Sequence, residues 1–208
     1  MTTPSDIELI YAGADITVWH TAIADTSDRA NRRDAEHTAV ASLVAAAFGP
    51  QSRLLHKQSG APYILTGNNG EILHSVSISH CRDTAMLAVA PEGTAIGIDC
   101  EHFRKALRNV ASRVLSADEL PGWTATDELL LRAWTIKEAV YKAAGKPGLP
   151  LADGIILPEA EIVINGTQSV VASTADGSRF RLIFLPGTDP ATTIAVARTD
   201  SPAKENTI

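Results

Sequence analysis

With 208 residues the chain is long enough for one large domain or two small ones, and either arrangement can bury a substantial core. Hydrophobic residues make up 45% and charged residues 20%, the balance of a soluble globular protein, and a net charge of −6 argues against bulk affinity for nucleic acid or an anionic membrane. Cys81 and Cys100 are the only cysteines and form no CxxC, which speaks against a disulfide framework or structural zinc and fits a reducing cytoplasm.

The opening MTTPSDIELIYAG has no basic segment leading into a long apolar core, so no signal peptide is expected. Strands are expected around Ile7 to Tyr11 and Ile16 to Trp19. A long helix follows, capped by Thr26 or Ser27, with acidic residues early and Gly49-Pro50 as its stop. Its apolar run, Ala39 to Phe48, is too short to span a bilayer. In SGAPYILTGNNGEILHSVSISH, the Gly67 to Gly70 turn separates two strand-like runs and suggests a hairpin. TAMLAVAP and TAIGID are further strands, turning at Pro91 to Gly93.

Helix is expected from about Phe103 through SADEL, then from about Thr126 to Ala144, where Gly145, Pro147 and Gly148 stop it. The segment from Gly154 to Arg198 alternates β-rich runs with turn residues and reads as an antiparallel meander, followed by a polar tail. Helix followed by strands occurs in each half without regular βαβ alternation. The fold class is therefore α+β, divided as 1–92, 93–198 and a tail 199–208.

Three polar clusters stand out. In AIGIDCEHF, strand alternation puts Asp99 and Glu101 on one side, where they repel unless a hard cation such as magnesium sits between them; the plainer reading is a turn and a solvated helix start. In LRAWTIKEAVYKAAGK, Trp134, Glu138 and Lys142 share a stripe and Lys137 points elsewhere. Glu138 either pairs with Lys142 at the surface or is drawn inward, where a carboxylate needs a cation. In SVSISHC, Ser75, Ser77 and Ser79 line one face of a strand ending in His80, which either caps a loop or donates to a phosphate. His80 and Cys81 point to opposite faces, against a nucleophile and base pair.

Taken in order, Ser79-His80, Gly97-Ile98-Asp99-x-Glu101 and Trp134-Thr-x-Lys137-Glu138-x-x-x-Lys142 resemble the 4′-phosphopantetheinyl transferases, and the surfactin-type, single-chain subclass most closely. The resemblance runs from about Gly60 to Leu151. It implies two similar α+β lobes with coenzyme A in the cleft between them, acting as a monomer. It further implies that Asp99, Glu101 and Glu138 hold magnesium with the coenzyme A pyrophosphate, and that Lys142 contacts phosphate and assists the leaving group. Ser79 and His80 would bind the nucleotide end.

The implied reaction is attack by a serine hydroxyl of an apo acyl or peptidyl carrier protein on the β-phosphate, releasing 3′,5′-ADP, with Glu138 as the base. Phe103, Arg104, Lys105 and Arg108, together with Leu107, Val110 and Arg113, fit docking of an acidic carrier; a solvated helix face is the other reading. Two positions depart from the pattern of many members of that family: Ala61 stands where many have lysine, and many place an arginine near Ala41. Lys57, Arg53, Arg33 and Arg32 are the cations near enough in sequence to substitute. A non-catalytic relative that binds carrier or nucleotide, and a metal-dependent phosphodiesterase, are the competing functions.

Overall fold

The structure, a computed structural model, describes residues 7–25, 28–66, 74–164, 170–186 and 192–199. In chain order the first half forms β1 (Glu8–Ala12), β2 (Thr17–Ala22), α1 (Arg29–Phe48), β3 (Arg53–His56), β4 (Pro62–Leu65), β5 (His74–Cys81) and β6 (Thr84–Pro91). The second forms β7 (Ile96–His102), α2 (Ala106–Val110), α3 (Leu120–Trp123), α4 (Asp127–Ala144), α5 (Leu151–Gly154) and β8 (Ile155–Ile156). It continues with α6 (Ala160–Ile164), β9 (Val170–Thr174), β10 (Arg179–Pro186) and β11 (Thr192–Thr199).

The result is a mixed α+β fold with two main antiparallel sheets, ordered β1-β2-β6-β5 and β7-β11-β10-β9-β8. Sheet membership changes between Pro91 and Ile96. The near-continuous apolar run of β6 reflects burial on both faces. Ala85, Leu87 and Val89 join Leu43 and Val44 of α1, while Met86, Ala88 and Ala90 join Ile96, Ile98 and Cys100 of β7. A third core joins Leu130, Ile136, Ala139 and Val140 of α4 to Val170, Ala172, Phe180 and Leu182 of the second sheet.

Helix α4 matches its sequence signals closely. The Thr126 side chain accepts from the Leu129 amide at 3.1 Å, Asp127 and Glu128 occupy the first turn, and Gly145 ends the helix in the left-handed region at φ 59°. Three expectations change. β4 pairs with β3, Leu54 opposite Ile64, and among the described residues no ladder joins it to β5. The turn between β3 and β4 is Lys57 to Gly60, with Gly60 at φ 86° and its amide donating to the Lys57 carbonyl at 2.8 Å; the turn expected at Gly67 to Gly70 lies outside the described residues.

The helical zone after Phe103 breaks into α2, a 3₁₀ turn at Ala111–Arg113, and α3. Ser116 and Glu119 cause the restart as a reciprocal capping pair: the Ser116 amide donates to Glu119 Oε2 at 3.0 Å and the Glu119 amide to Ser116 Oγ at 3.3 Å. The β-branched AEIVI segment is helix α6, because Val163 there seats in the α4 core; tertiary packing overrides its strand propensity. Helix α1 carries no acidic residue in its first turn, and Thr26 and Ser27 lie outside the described residues. No helix among the described residues is long and apolar enough to cross a membrane.

Candidate functional site

Strands β5 and β7 and helix α4 converge on one point, and small residues make the approach possible. Gly97 lies directly beneath α4: a Cβ there would stand 1.9 Å from the Ala139 carbonyl oxygen. The β5 serines close the other side. Ser77 Oγ accepts from the Ile98 amide at 3.1 Å and Ser79 Oγ from the Cys100 amide at 3.2 Å, so two hydroxyls bridge the sheets where no ladder runs.

Ser79 then donates to Asp99 Oδ1 at 3.0 Å. Lys142 Nζ donates to the same Oδ1 at 2.8 Å, to the Ile98 carbonyl at 2.9 Å and to Ser79 Oγ at 3.3 Å. Lys142 is thus committed to β7 and not to Glu138 four residues before it. Among the described residues Glu138 has no hydrogen-bond or ion-pair partner, although it is only half exposed.

Burial raises the Asp99 carboxyl above its ordinary range despite the opposing charge of Lys142 and its hydrogen bonds from Lys142 and Ser79. Burial also raises Glu138, reinforced by the negative charge of Asp99 and, less strongly, of Glu101; Lys142 opposes this. Asp99 and Glu101 therefore both act electrostatically on Glu138. No group of three His, Cys, Asp or Glu side chains among the described residues is arranged to hold a metal ion. Glu101 is engaged elsewhere: its Oε1 accepts from the His102 amide at 3.1 Å and its Oε2 from Arg104 at 3.0 Å.

The other expected residues divide. His80 is half exposed, with Nδ1 3.8 Å from Glu36 on α1. Arg104, Lys105 and Arg108 are exposed and Phe103 is half-buried, but Leu107 is in the core and unavailable to a partner. Arg108 pairs with Asp127 and reaches the Thr124 carbonyl at 3.3 Å. The Cys81 thiol is pushed far up by its hydrogen bond with Cys100 and by burial, so it is no nucleophile at neutral pH.

Lys137, left open by the sequence, is fully buried. Its ammonium bonds Glu119 Oε2 at 2.6 Å and the carbonyls of Leu151, Ala152 and Ile155 at 2.9, 3.1 and 2.7 Å. Burial lowers its pKa and Glu119 opposes this. This group fastens α4 to the segments around it, since Glu119 Oε1 also accepts from the Leu157 amide at 2.8 Å. Gly97, Ser77 and the Lys137–Glu119 pair were not singled out as site-forming from the sequence. The alternating serines and the glycine before Ile98-Asp99 were the signals available.

Lys142 and His80 also line a cleft of about 1250 Å³ running along α1, the β3–β4 hairpin, β5 and the end of α4. Ala41 and Ala61 line this same cleft, as do Arg53 and Lys57, while Arg32 and Arg33 do not. Arg32 is tied to Glu36 at 3.0 Å and to the Arg82 carbonyl.

Fold and site together define a mixed α+β protein with an acidic cluster and a buried-facing lysine beside a large cleft. Residues 95–191 match the family model of the 4′-phosphopantetheinyl transferase superfamily. The match covers slightly less than half of the chain and includes Asp99, Glu101, Glu138 and Lys142; Ser79 and His80 precede it. No curated protein matched the chain in a sequence search.

Proposed function

We propose that this chain transfers the 4′-phosphopantetheine group of coenzyme A to a serine of an apo acyl or peptidyl carrier protein, releasing 3′,5′-ADP. The family match supports phosphopantetheine transfer in general. The observation that carries the reading is that Lys142, on the cleft wall, bonds Asp99 and Ser79, while Glu138, without a hydrogen-bond or ion-pair partner among the described residues, feels the charges of Asp99 and Glu101. The same reading takes the chain as a cytoplasmic monomer of the surfactin type, with lobes at 1–92 and 93–198 and a tail at 199–208. The change of sheet between Pro91 and Ile96 supports that division.

The donor chemistry suits a hard dication, because Asp99, Glu101 and Glu138 offer only carboxylate oxygens and their repulsion is what such an ion relieves. These three residues would hold magnesium, which when bound supplies charge neutralisation to the pyrophosphate. Asp99 and Glu101 exchange contacts to do so. Glu138, which has no hydrogen-bond or ion-pair partner among the described residues, takes the proton of the carrier serine.

The serine oxygen bonds to the β-phosphorus as the bond to the bridging oxygen breaks, and the electron pair leaves with 3′,5′-ADP. Lys142 gives up its 3.3 Å contact with Ser79 and turns that N–H toward the phosphate. Ser79 and His80 are assigned to the nucleotide end. His80 meets it with a half-exposed imidazole, while the buried Ser79 hydroxyl is held by Asp99, the Cys100 amide and Lys142. Arg53 and Lys57 are the cleft cations placed to offset Ala41 and Ala61.

The two alanines on the cleft wall favour one second reading, a relative that binds carrier or nucleotide without transferring anything. The phosphodiesterase reading has no second ligand cluster among the described residues. Incubation with coenzyme A, magnesium and a panel of apo carriers, followed by mass spectrometry, separates them. A phosphopantetheine adduct is the expected outcome. Carrier binding without any adduct would select the non-catalytic reading.

A further inference from the structure

Glu101 is the one carboxylate of the acidic cluster whose two oxygens are both engaged, one by the His102 amide and one by Arg104. The Arg104 side chain is 60% exposed and that of Glu101 20%, so the guanidinium reaches the carboxylate from the solvent side. Its neighbours differ from it. Lys105 is exposed and makes no ion pair among the described residues, while Arg108 is anchored away from the cluster by Asp127 and the Thr124 carbonyl. Arg104 alone on this basic surface therefore links the exterior to a charge acting on Glu138.

We infer that Arg104 is a gate on Glu101: its ion pair competes with capture of a divalent cation, and an acidic protein surface that draws Arg104 outward frees the carboxylate. The inference rests on the reading of Asp99, Glu101 and Glu138 as a dication site. The physical basis is competition for one carboxylate. Glu101 turns Oε2 toward a cation only by releasing Arg104, and an acidic partner supplies Arg104 with a replacement anion. Linkage makes the effect reciprocal, so partner and cation each tighten the other by the same factor. An ion pair this exposed sets that factor at about 2- to 5-fold. The partner is thus an acidic protein surface, and its docking raises the availability of Glu101 by that factor.

The test is Mn²⁺ titration at low ionic strength, read by the electron paramagnetic resonance signal of the free ion. The full chain is compared with Arg104→Gln, Lys105→Gln and Glu101→Gln, each checked for folding by circular dichroism. Arg104→Gln is expected to bind Mn²⁺ about 2- to 5-fold more tightly than Lys105→Gln, which removes the same charge without touching Glu101. Equal affinities in those two variants would reduce the effect to net charge and overturn the gate. Unchanged Mn²⁺ binding in Glu101→Gln would instead overturn the dication reading beneath it. In a second arm, the carrier identified by the adduct assay is added with its acceptor serine replaced by alanine. It should tighten Mn²⁺ binding to the unaltered chain and leave Arg104→Gln unmoved; an equal shift in both sinks the coupling.

Discussion

Gly97→Ala tests how the site is built. The new Cβ would meet only α4 backbone: the Ala139 carbonyl oxygen at 1.9 Å, the Ala143 nitrogen at 2.8 Å and the Ala139 carbonyl carbon at 2.9 Å. None of these is a flexible side-chain tip, so the helix itself must retreat. Restoring ordinary contact with the oxygen, from 1.9 to 3.4 Å, needs a displacement of about 1.5 Å. Overpacking of this kind costs about 1–3 kcal/mol. For a chain near this length that lowers Tm by roughly 2–12 °C. The protein therefore stays folded at room temperature, within a stability of about 5–15 kcal/mol.

Catalysis should suffer more than folding, because α4 carries Glu138 and Lys142 and the Lys142 bonds to Asp99 and Ile98 are 2.8 and 2.9 Å long. A misplacement of about 1 Å costs on the order of 100-fold in rate. Release of 3′,5′-ADP, followed chromatographically on protein shown by circular dichroism to be folded, should fall by that factor or more. Wild-type transfer at an unchanged Tm would show that α4 does not need Gly97 to reach β7.

Other perturbations separate the roles of the remaining residues. Asp99→Asn and Glu138→Gln should each lower kcat by about 100-fold or more on protein shown by circular dichroism to be folded; near-wild-type turnover in either would remove that residue from the site. Lys137→Met leaves Glu119 buried without its cation and should cost about 3–5 kcal/mol of stability with transfer per folded molecule preserved. A stable but inactive variant would move Lys137 into the chemistry. Because Asp99 and Glu138 are raised, the folded chain holds more protons than the unfolded one above their ordinary pKa values, and stability falls as pH rises through that window. Magnesium held as proposed would relieve this, so it should raise Tm more at about pH 7.5 than at about pH 5, and equal shifts would contradict the linkage. Reversing the charges of Arg104, Lys105 and Arg108 together should raise the carrier KM and flatten its salt dependence, and unchanged carrier kinetics would leave them a solvated face.

The elements most legible in the residues were those whose signals are local. Thr126, Gly145 and the apolar stripe of α4 define that helix without reference to anything else in the chain. The strand expected at TAIGID is also present, but β7 runs on past Asp99 to His102 and so takes in Glu101. The partner of β4 was not legible, because Arg53 to His56 carries no strand signal strong enough to be read from the sequence. Helix α6 was missed for a different reason: burial of Val163 against α4 outweighs what isoleucine and valine prefer alone.

The candidate site was legible in its members and illegible in its pairings. The i,i+4 spacing of Glu138 and Lys142 suggests a salt bridge, yet Lys142 bonds instead to Asp99 and the Ile98 carbonyl, 43 and 44 residues away in sequence. Lys137 is polar in the sequence but fully buried, and no local pattern announces three carbonyl acceptors from the segment at 151–155. Long-range partners such as these follow from the fold and not from periodicity.

The bridge between β5 and β7 puts unequal weight on two oxygen atoms. Hydrophobic patterning tells each sheet which face to bury, but it is indifferent to how far one sheet slides along the other. The hydroxyls of Ser77 and Ser79, each meeting a β7 amide, are the directional contacts that break this indifference. For anyone building a related protein from scratch, a well-filled core would yield the two sheets and still leave their alignment undetermined. Two of the smallest polar side chains in the chain help to supply that missing coordinate.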